Sequence, residues 1–159
     1  MIVVDTDVIS YFWLRMTADR PAAARAVRER DVDWAVPSLW RSEFRSVLRG
    51  YMTRDLMTLA EAQRYHEQAL TDLHDQEYEV PSDPVLRLVD ETGHSAYDCE
   101  YVALAQQLGV ALVTGDRQVV DRFPDTAILL EEAAGWSTSA LPPPVHCWKP
   151  TDRVSRHPR

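Results

Sequence analysis

Six residues at the start of the chain, Ile2-Val3-Val4-Asp5-Thr6-Asp7, limit what it can fold into. Three β-branched residues run straight into an aspartate, and a second aspartate follows two positions later. Such a run reads as a short strand buried on both faces, the kind found in a parallel sheet covered by helices. In open α/β folds, ligands and metals collect at the C-terminal ends of these strands. A carboxylate is a poor end for a core strand and a good start for a metal site. The question for the rest of the chain is therefore whether other acids converge on Asp5.

The chain continues as an alternation of helix and strand signals. Asp7 reads as a helix N-cap, followed by Val8, Ile9, Tyr11, Phe12 and Trp13. Pro21 opens an alanine- and arginine-rich helix that ends near Asp31. Trp34-Ala35-Val36 is a second strand closed by Pro37, and Ser38 is placed to cap a helix with a stripe of Trp40, Phe44, Val47, Leu48 and Tyr51. Thr58 caps a further helix, and these two are expected to form a pair standing off the sheet. Tyr78-Glu79-Val80 is the expected third strand. A short helix over 84–91 ends at Gly93, and Ser95 caps a helix running to Gly109. Residues 110–113 and 127–130 are the last two strands, separated by Thr114-Gly115-Asp116 and a short helix. The pattern predicts a three-layer α/β/α sandwich with a parallel sheet of about five strands over residues 1–136. A Pro-rich basic tail is expected over 137–159, with Trp148 able to pin it.

At 159 residues the chain is long enough for one domain with a sound core. Its net charge of −8 is uneven: residues 1–54 carry nine arginines against seven acids, residues 55–100 two arginines against twelve acids. That balance argues against non-specific duplex binding and leaves room for local phosphate contacts. No apolar run spans a membrane and no export signal opens the chain, so a cytoplasmic protein without a membrane partner is expected. The two cysteines, Cys99 and Cys147, make neither a disulfide framework nor a zinc site. The histidines have no zinc spacing, and there is no glycine-rich phosphate loop.

Four acids sit where the local pattern points inward: Asp5, Glu43, Asp98 and Asp116. Glu43 lies beside the buried stripe, three residues after Trp40 and four before Val47. Asp98 stands likewise before Tyr101 and Val102, and Asp116 follows the fourth strand at the Asp5 end of a parallel sheet. Clustered carboxylates repel, and a divalent cation with oxygen ligands, Mg²⁺ or Mn²⁺, relieves them. Plainer roles stand beside this one. Asp98 completes a capping box in Ser95-Ala96-Tyr97-Asp98, Asp7 and Asp116 can be N-caps, and Glu43 can fall at the stripe's edge by chance. Arg41, Arg45 and Arg49 form a ridge beside Glu43, either a solvated face or a contact for a phosphate backbone or an acidic partner.

With Val3-Val4-Asp5-Thr6-Asp7-Val8-Ile9, Ser42-Glu43-Phe44, Ser95-Ala96-Tyr97-Asp98 and Leu112-Val113-Thr114-Gly115-Asp116 in this order, the chain resembles the PIN-domain ribonucleases of the VapC toxin type. The resemblance covers residues 2 to about 131. It implies a sheet of order 3-2-1-4-5, a homodimer, and a Mg²⁺- or Mn²⁺-dependent endoribonuclease acting on tRNA, rRNA or mRNA. It places the acidic quartet on Asp5, Glu43, Asp98 and Asp116, and a helper hydroxyl on Thr114. It also implies an antitoxin partner of VapB type that inserts a basic side chain among these acids. Asp7 stands where relatives more often carry a smaller polar residue, which makes it a candidate for an added metal or water contact. Two alternatives remain at this point. A haloacid-dehalogenase-like phosphatase fits Asp5-Thr6-Asp7 and Gly115-Asp116 but wants a lysine before the last motif, and the single lysine is Lys149. A non-catalytic RNA-binding or interaction protein of the same fold would leave the acid quartet unexplained.

Overall fold

A computed structural model describes residues 1–14 and 20–135. The tail expected at 137–159, including Trp148, lies outside the described residues. Five strands, β1 (Ile2–Val4), β2 (Trp34–Pro37), β3 (Glu77–Tyr78), β4 (Leu112–Thr114) and β5 (Ala127–Leu129), form one parallel sheet in the order β3-β2-β1-β4-β5. Val3 pairs with Ala35 on one side and with Leu112 on the other. Every residue of β1, β2 and β4 is buried, as the apolar runs require of strands covered on both faces.

The chain leaves β1 toward β2 and β3, then crosses back to β4 and β5. Strand order thus reverses between β1 and β4, the position at whose carboxyl ends open α/β sheets bind their ligands. Helices α1 (Thr6–Leu14), α2 (Arg20–Arg30) and α8 (Leu130–Gly135) pack together in one layer. Helices α5 (Ser82–Thr92) and α6 (Ala96–Leu108) form the other, with α6 against β1, β2 and β4. The pair α3 (Trp40–Met52) and α4 (Leu59–Leu73) extends the first layer, and α4 also reaches α1 and β2, so the pair is less detached than expected. The short α7 (Arg117–Arg122) links β4 to β5. No described helix is long and apolar enough to cross a membrane.

Local chemistry explains where the elements begin and end. Thr58 and Glu61 form a reciprocal capping box on α4. Gly109, left-handed at φ 65°, ends α6: its amide bonds the Gln106 carbonyl at 3.2 Å and that of Val110 bonds Ala105 at 3.0 Å. That ending uses Val110, so β4 begins at Leu112 rather than 110. Ser38 does not cap α3. The helix starts at Trp40 after Leu39, and the Ser38 backbone amide instead bonds the Tyr78 carbonyl at 3.1 Å. Helix α8, which the sequence pattern did not mark, directly follows β5.

The third strand is Glu77–Tyr78, not 78–80, because Glu77 pairs in register with Val36. A buried carboxylate inside a sheet needs compensation. Glu77 receives the Trp40 indole N–H at 2.8 Å and the Arg41 Nε at 2.6 Å, and Arg41 Nη2 closes the fork. Its side chain is only 4% exposed. Replacing Glu77 by Ala orphans both donors and is expected to destabilise the fold by about 2–3 kcal/mol, less than a fully buried pair because Arg41 reaches water. Urea unfolding of Glu77→Ala beside Glu77→Gln, which keeps an acceptor and loses less, checks this.

Candidate active site

The site grows from the β1–β4 pairing. Val4 lies opposite Val113, and the Asp5 amide bonds the Val113 carbonyl at 3.0 Å, so Asp5 and Thr114 leave the sheet side by side. The Thr114 hydroxyl donates to Asp5 Oδ2 at 2.8 Å and accepts the Asp116 amide at 3.0 Å. One buried hydroxyl therefore ties the two aspartate-bearing loops together. Asp7 does not cap α1, which already begins at Thr6. Its Oδ2 instead accepts the Gly115 amide at 2.8 Å, bracing the same loop. Gly115 has to be glycine at this spot: a Cβ would collide with Asp7 Oδ2 and come within 2.8 Å of Arg20 Nη1. Asp116 is exposed and caps α7 by accepting the Gln118 amide at 2.8 Å.

Glu43 reaches this edge from α3. Its Oε2 accepts from the Thr6 hydroxyl at 2.9 Å and from the Tyr101 hydroxyl at 2.6 Å, and those two hydroxyls lie 2.5 Å apart. The triangle joins α1, α3 and α6. Sequence reasoning missed it: Thr6 was passed over between two aspartates, and Tyr101 was counted as an apolar core residue. Tyr101 is both, since its ring is buried and its phenol finds a partner. Glu100, beside it, was also passed over. Burial and then the Glu43 charge push its carboxyl up, so it stands close enough to Glu43 for the two charges to interact.

Ser95 caps α6, and the Asp98 carboxylate meets the Ser95 hydroxyl, half of the expected capping box. The Asp98 amide bonds the Ser95 hydroxyl at 3.1 Å, which donates back to Asp98 Oδ2 at 2.7 Å, and His94 Nε2 lies 3.5 Å from that oxygen. Of the arginine ridge, Arg41 is committed to Glu77, Arg45 bonds the Ser42 hydroxyl at 2.9 Å, and Arg45 and Arg49 are exposed.

The electrostatics at the centre are unbalanced. Burial, then the Asp7 charge, hold the Asp5 carboxyl well above the ordinary range. Glu43 adds to this, and the Thr114 hydrogen bond opposes it. Burial pushes Asp7 up to about 6, against the pull of the Gly115 and Val8 amides and of the Arg20 charge, while Asp116 adds to the rise. Asp7 Oδ1 is buried with no hydrogen-bond partner. Burial and the charges of Asp5 and Glu43 also keep the Tyr101 phenol protonated.

Among the described residues no group of three or more His, Cys, Asp or Glu side chains is closed into a ready metal cage. The donor set nevertheless fits a hard cation. It is all oxygen, it carries excess negative charge, and it holds an unpaired buried carboxylate oxygen.

The raised carboxyls fix the sign of a pH effect. A carboxyl that keeps its proton more tightly when folded stabilises the fold below its unfolded pKa near 3.8, and loses that contribution as pH rises through about 6. Asp7→Asn keeps an acceptor for Gly115 and removes one charge. In metal-free protein it is expected to raise stability by about 1–3 kcal/mol near pH 7.5 and to change little near pH 4. Urea unfolding at both pH values measures the difference.

Comparison with known proteins agrees with this architecture. The PIN domain pattern matches residues 2–127. Ribonuclease VapC3 of Pyrobaculum aerophilum is 29% identical over 134 residues, spanning 77% of this chain and 95% of that protein. The crystal structure of PAE2754 from Pyrobaculum aerophilum superimposes with a TM-score of 0.64 at 24% identity, covering 84% of this chain and 93% of that one, a likeness of fold. With the pattern spanning most of the chain, on a sheet ordered β3-β2-β1-β4-β5 and with Asp5 at its switch point, the protein belongs to the PIN-domain family, related to the VapC proteins.

Proposed function

We propose that the chain is a metal-dependent endoribonuclease of VapC toxin type that cleaves RNA and is held in check by a cognate antitoxin. The observation that carries this reading is the poorly compensated pair Asp5 and Asp7 at the switch point, hydrogen-bonded to the Thr114 loop, with the Glu43 charge beside Asp5. Uncompensated buried acids lower stability, and strongly perturbed carboxyls gather at functional sites. The name of the relative, Ribonuclease VapC3, supports the substrate class.

In this reading Asp5, Asp98, Asp116 and Glu43 hold Mg²⁺ or Mn²⁺, with Asp7 as an added ligand or brace. The bound cation supplies water activation and charge shielding at the scissile phosphate. The chain's own residues then divide the remaining work. Thr114 fixes the Asp5 carboxylate through Oδ2 and holds the Asp116 amide. Thr6 and Tyr101 fix Glu43 through Oε2. Asp7 locks Gly115 so that the β4 loop keeps its shape. The exposed Arg45 and Arg49 are the α3 contacts for RNA or for the antitoxin. A homodimer in the cytoplasm, with residues 1–136 as the nuclease domain, completes the proposal.

Cleavage of total cellular RNA by partner-free protein tests it, run with Mg²⁺, with Mn²⁺ and with chelator. Discrete cuts that vanish with chelator and in Asp5→Ala are expected; folded, metal-binding protein that cuts nothing refutes the enzyme. Asp98→Asn is expected to keep most of the stability, since its amide group still faces Ser95, and to lose cleavage by a hundredfold or more, roughly the scale for a lost transition-state charge contact. If capping is its whole role, Asp98→Asn keeps both its stability and its activity. Tyr101→Phe deprives Glu43 of one donor and is expected to cost about 1 kcal/mol in stability and to lower kcat, read from unfolding and turnover together.

A further inference from the structure

Arg20 is in an unfavourable place for its own helix. It is the first residue of α2, at the positive end of the helix dipole, and the first turn of α2 contains no acid. Its side chain is 40% exposed, so packing does not explain it. The guanidinium is nevertheless held in a definite pose. It lies over the Tyr11 ring, 5.0 Å from the centroid, and Nη1 donates to the Tyr11 hydroxyl. Nε stands 3.5 Å from Glu131, whose side chain is 52% exposed, a loose surface pair.

This pose aims the cation at the carboxylate site without committing it there. Tyr11 sits one turn after Asp7 on the same face of α1. Nη1 and Tyr11 Cε2 flank Gly115, 2.8 and 3.2 Å from where a Cβ would stand. The guanidinium thus overlies the loop that carries Thr114 and Asp116, and its charge is felt at Asp7. Among the described residues, however, its ion pair is with Glu131 and not with Asp7.

We propose that Arg20, oriented by Tyr11, is a positioning residue that holds a backbone phosphate next to the scissile one, across Gly115 from the carboxylates. The proposal rests on the nuclease reading and deepens it. A site lined with acids repels a polyanion everywhere except at a bound cation, so the flanking phosphate needs a counter-charge of its own. Arginine meets that need with a planar fork matched to phosphate oxygens. The loose Glu131 pair exchanges readily for a phosphate, and the absence of a side chain on Gly115 lets the guanidinium lie close over the loop.

The test separates this role from the chemistry. Binding of total tRNA is titrated against salt with Ca²⁺ in place of Mg²⁺, so that the RNA stays intact, for wild type, Arg20→Ala and Arg20→Lys. Arg20→Ala is expected to weaken binding about fivefold to tenfold and to reduce the slope of log Kobs against log salt by about 0.7–0.9, one phosphate contact. Arg20→Lys keeps the slope and loses part of the affinity. The Mg²⁺-induced rise in Tm persists in both variants, whereas loss of a metal ligand would abolish it. An unchanged slope in Arg20→Ala, a lost Mg²⁺ response, or wild type that binds no tRNA overturns the proposal. Wild type that binds tRNA with a slope that depends on Arg20, yet cuts no RNA, sustains the phosphate contact and removes the nuclease reading instead.

Discussion

The parallel pairing of β1 with β4 is the constraint on which the site depends. Because Val4 lies opposite Val113, the next residues out of the sheet are Asp5 and Thr114, and their side chains meet at 2.8 Å. A slip of one residue would carry Asp5 into the sheet and part it from Thr114, so the hydrophobic core and the site enforce the same register. The strand order reverses at this pair, the position at which open α/β sheets bind ligands. The loop bonds then follow: Asp116 hangs on Thr114, and Gly115 hangs on Asp7.

The molecule buries carboxylates in two opposite ways. Glu77 is almost inaccessible, yet an arginine fork and an indole N–H compensate it, and its role ends with holding β3 to α3. Asp5 and Asp7 keep more contact with water but face each other, Asp5 also facing Glu43, with hydroxyl and amide donors and, among the described residues, no arginine bonded to either. A fold under selection for stability alone replaces such a pair, since its like charges raise the free energy of the native state near neutral pH. What separates the two cases is the balance of partners rather than burial, and that imbalance at Asp5 and Asp7 is what the proposed cation would relieve.

Much of this fold was legible in the sequence because its strands are short, fully buried apolar runs separated by clear helix caps. The strand order itself came from family resemblance. The failures share a cause: a polar side chain doing what its type seldom does. Glu77 was left out of its strand because a sheet-buried acid is rare without a partner, and that partner, Arg41, lies 36 positions earlier. Asp7 looked like a cap because helix starts favour aspartate, but the first turn began one residue sooner and freed it for Gly115, a contact across 108 positions. Tyr101 vanished into an apolar stripe because periodicity reads the ring and not the hydroxyl. Arg20 carries no periodic signal at all. The convergence of Asp5 and Glu43 was legible only as a set, Thr114 came from the resemblance, and at the start of α6 the cap is the Ser95 hydroxyl, which accepts the Asp98 amide.

The Glu43 triangle adds a last constraint. Three short oxygen contacts, Thr6 to Tyr101, Tyr101 to Glu43 and Thr6 to Glu43, have two hydroxyl protons to share when Glu43 is ionised. Both hydroxyls donate to Oε2, Thr6 at 2.9 Å and Tyr101 at 2.6 Å, and their own oxygens lie 2.5 Å apart. The three helices α1, α3 and α6, each anchored in the core, hold these oxygens together. Both hydroxyls face Oε2. They fix the plane of the carboxylate from one side and leave Oε1 outside the triangle, the oxygen that would serve the cation of the proposed reaction.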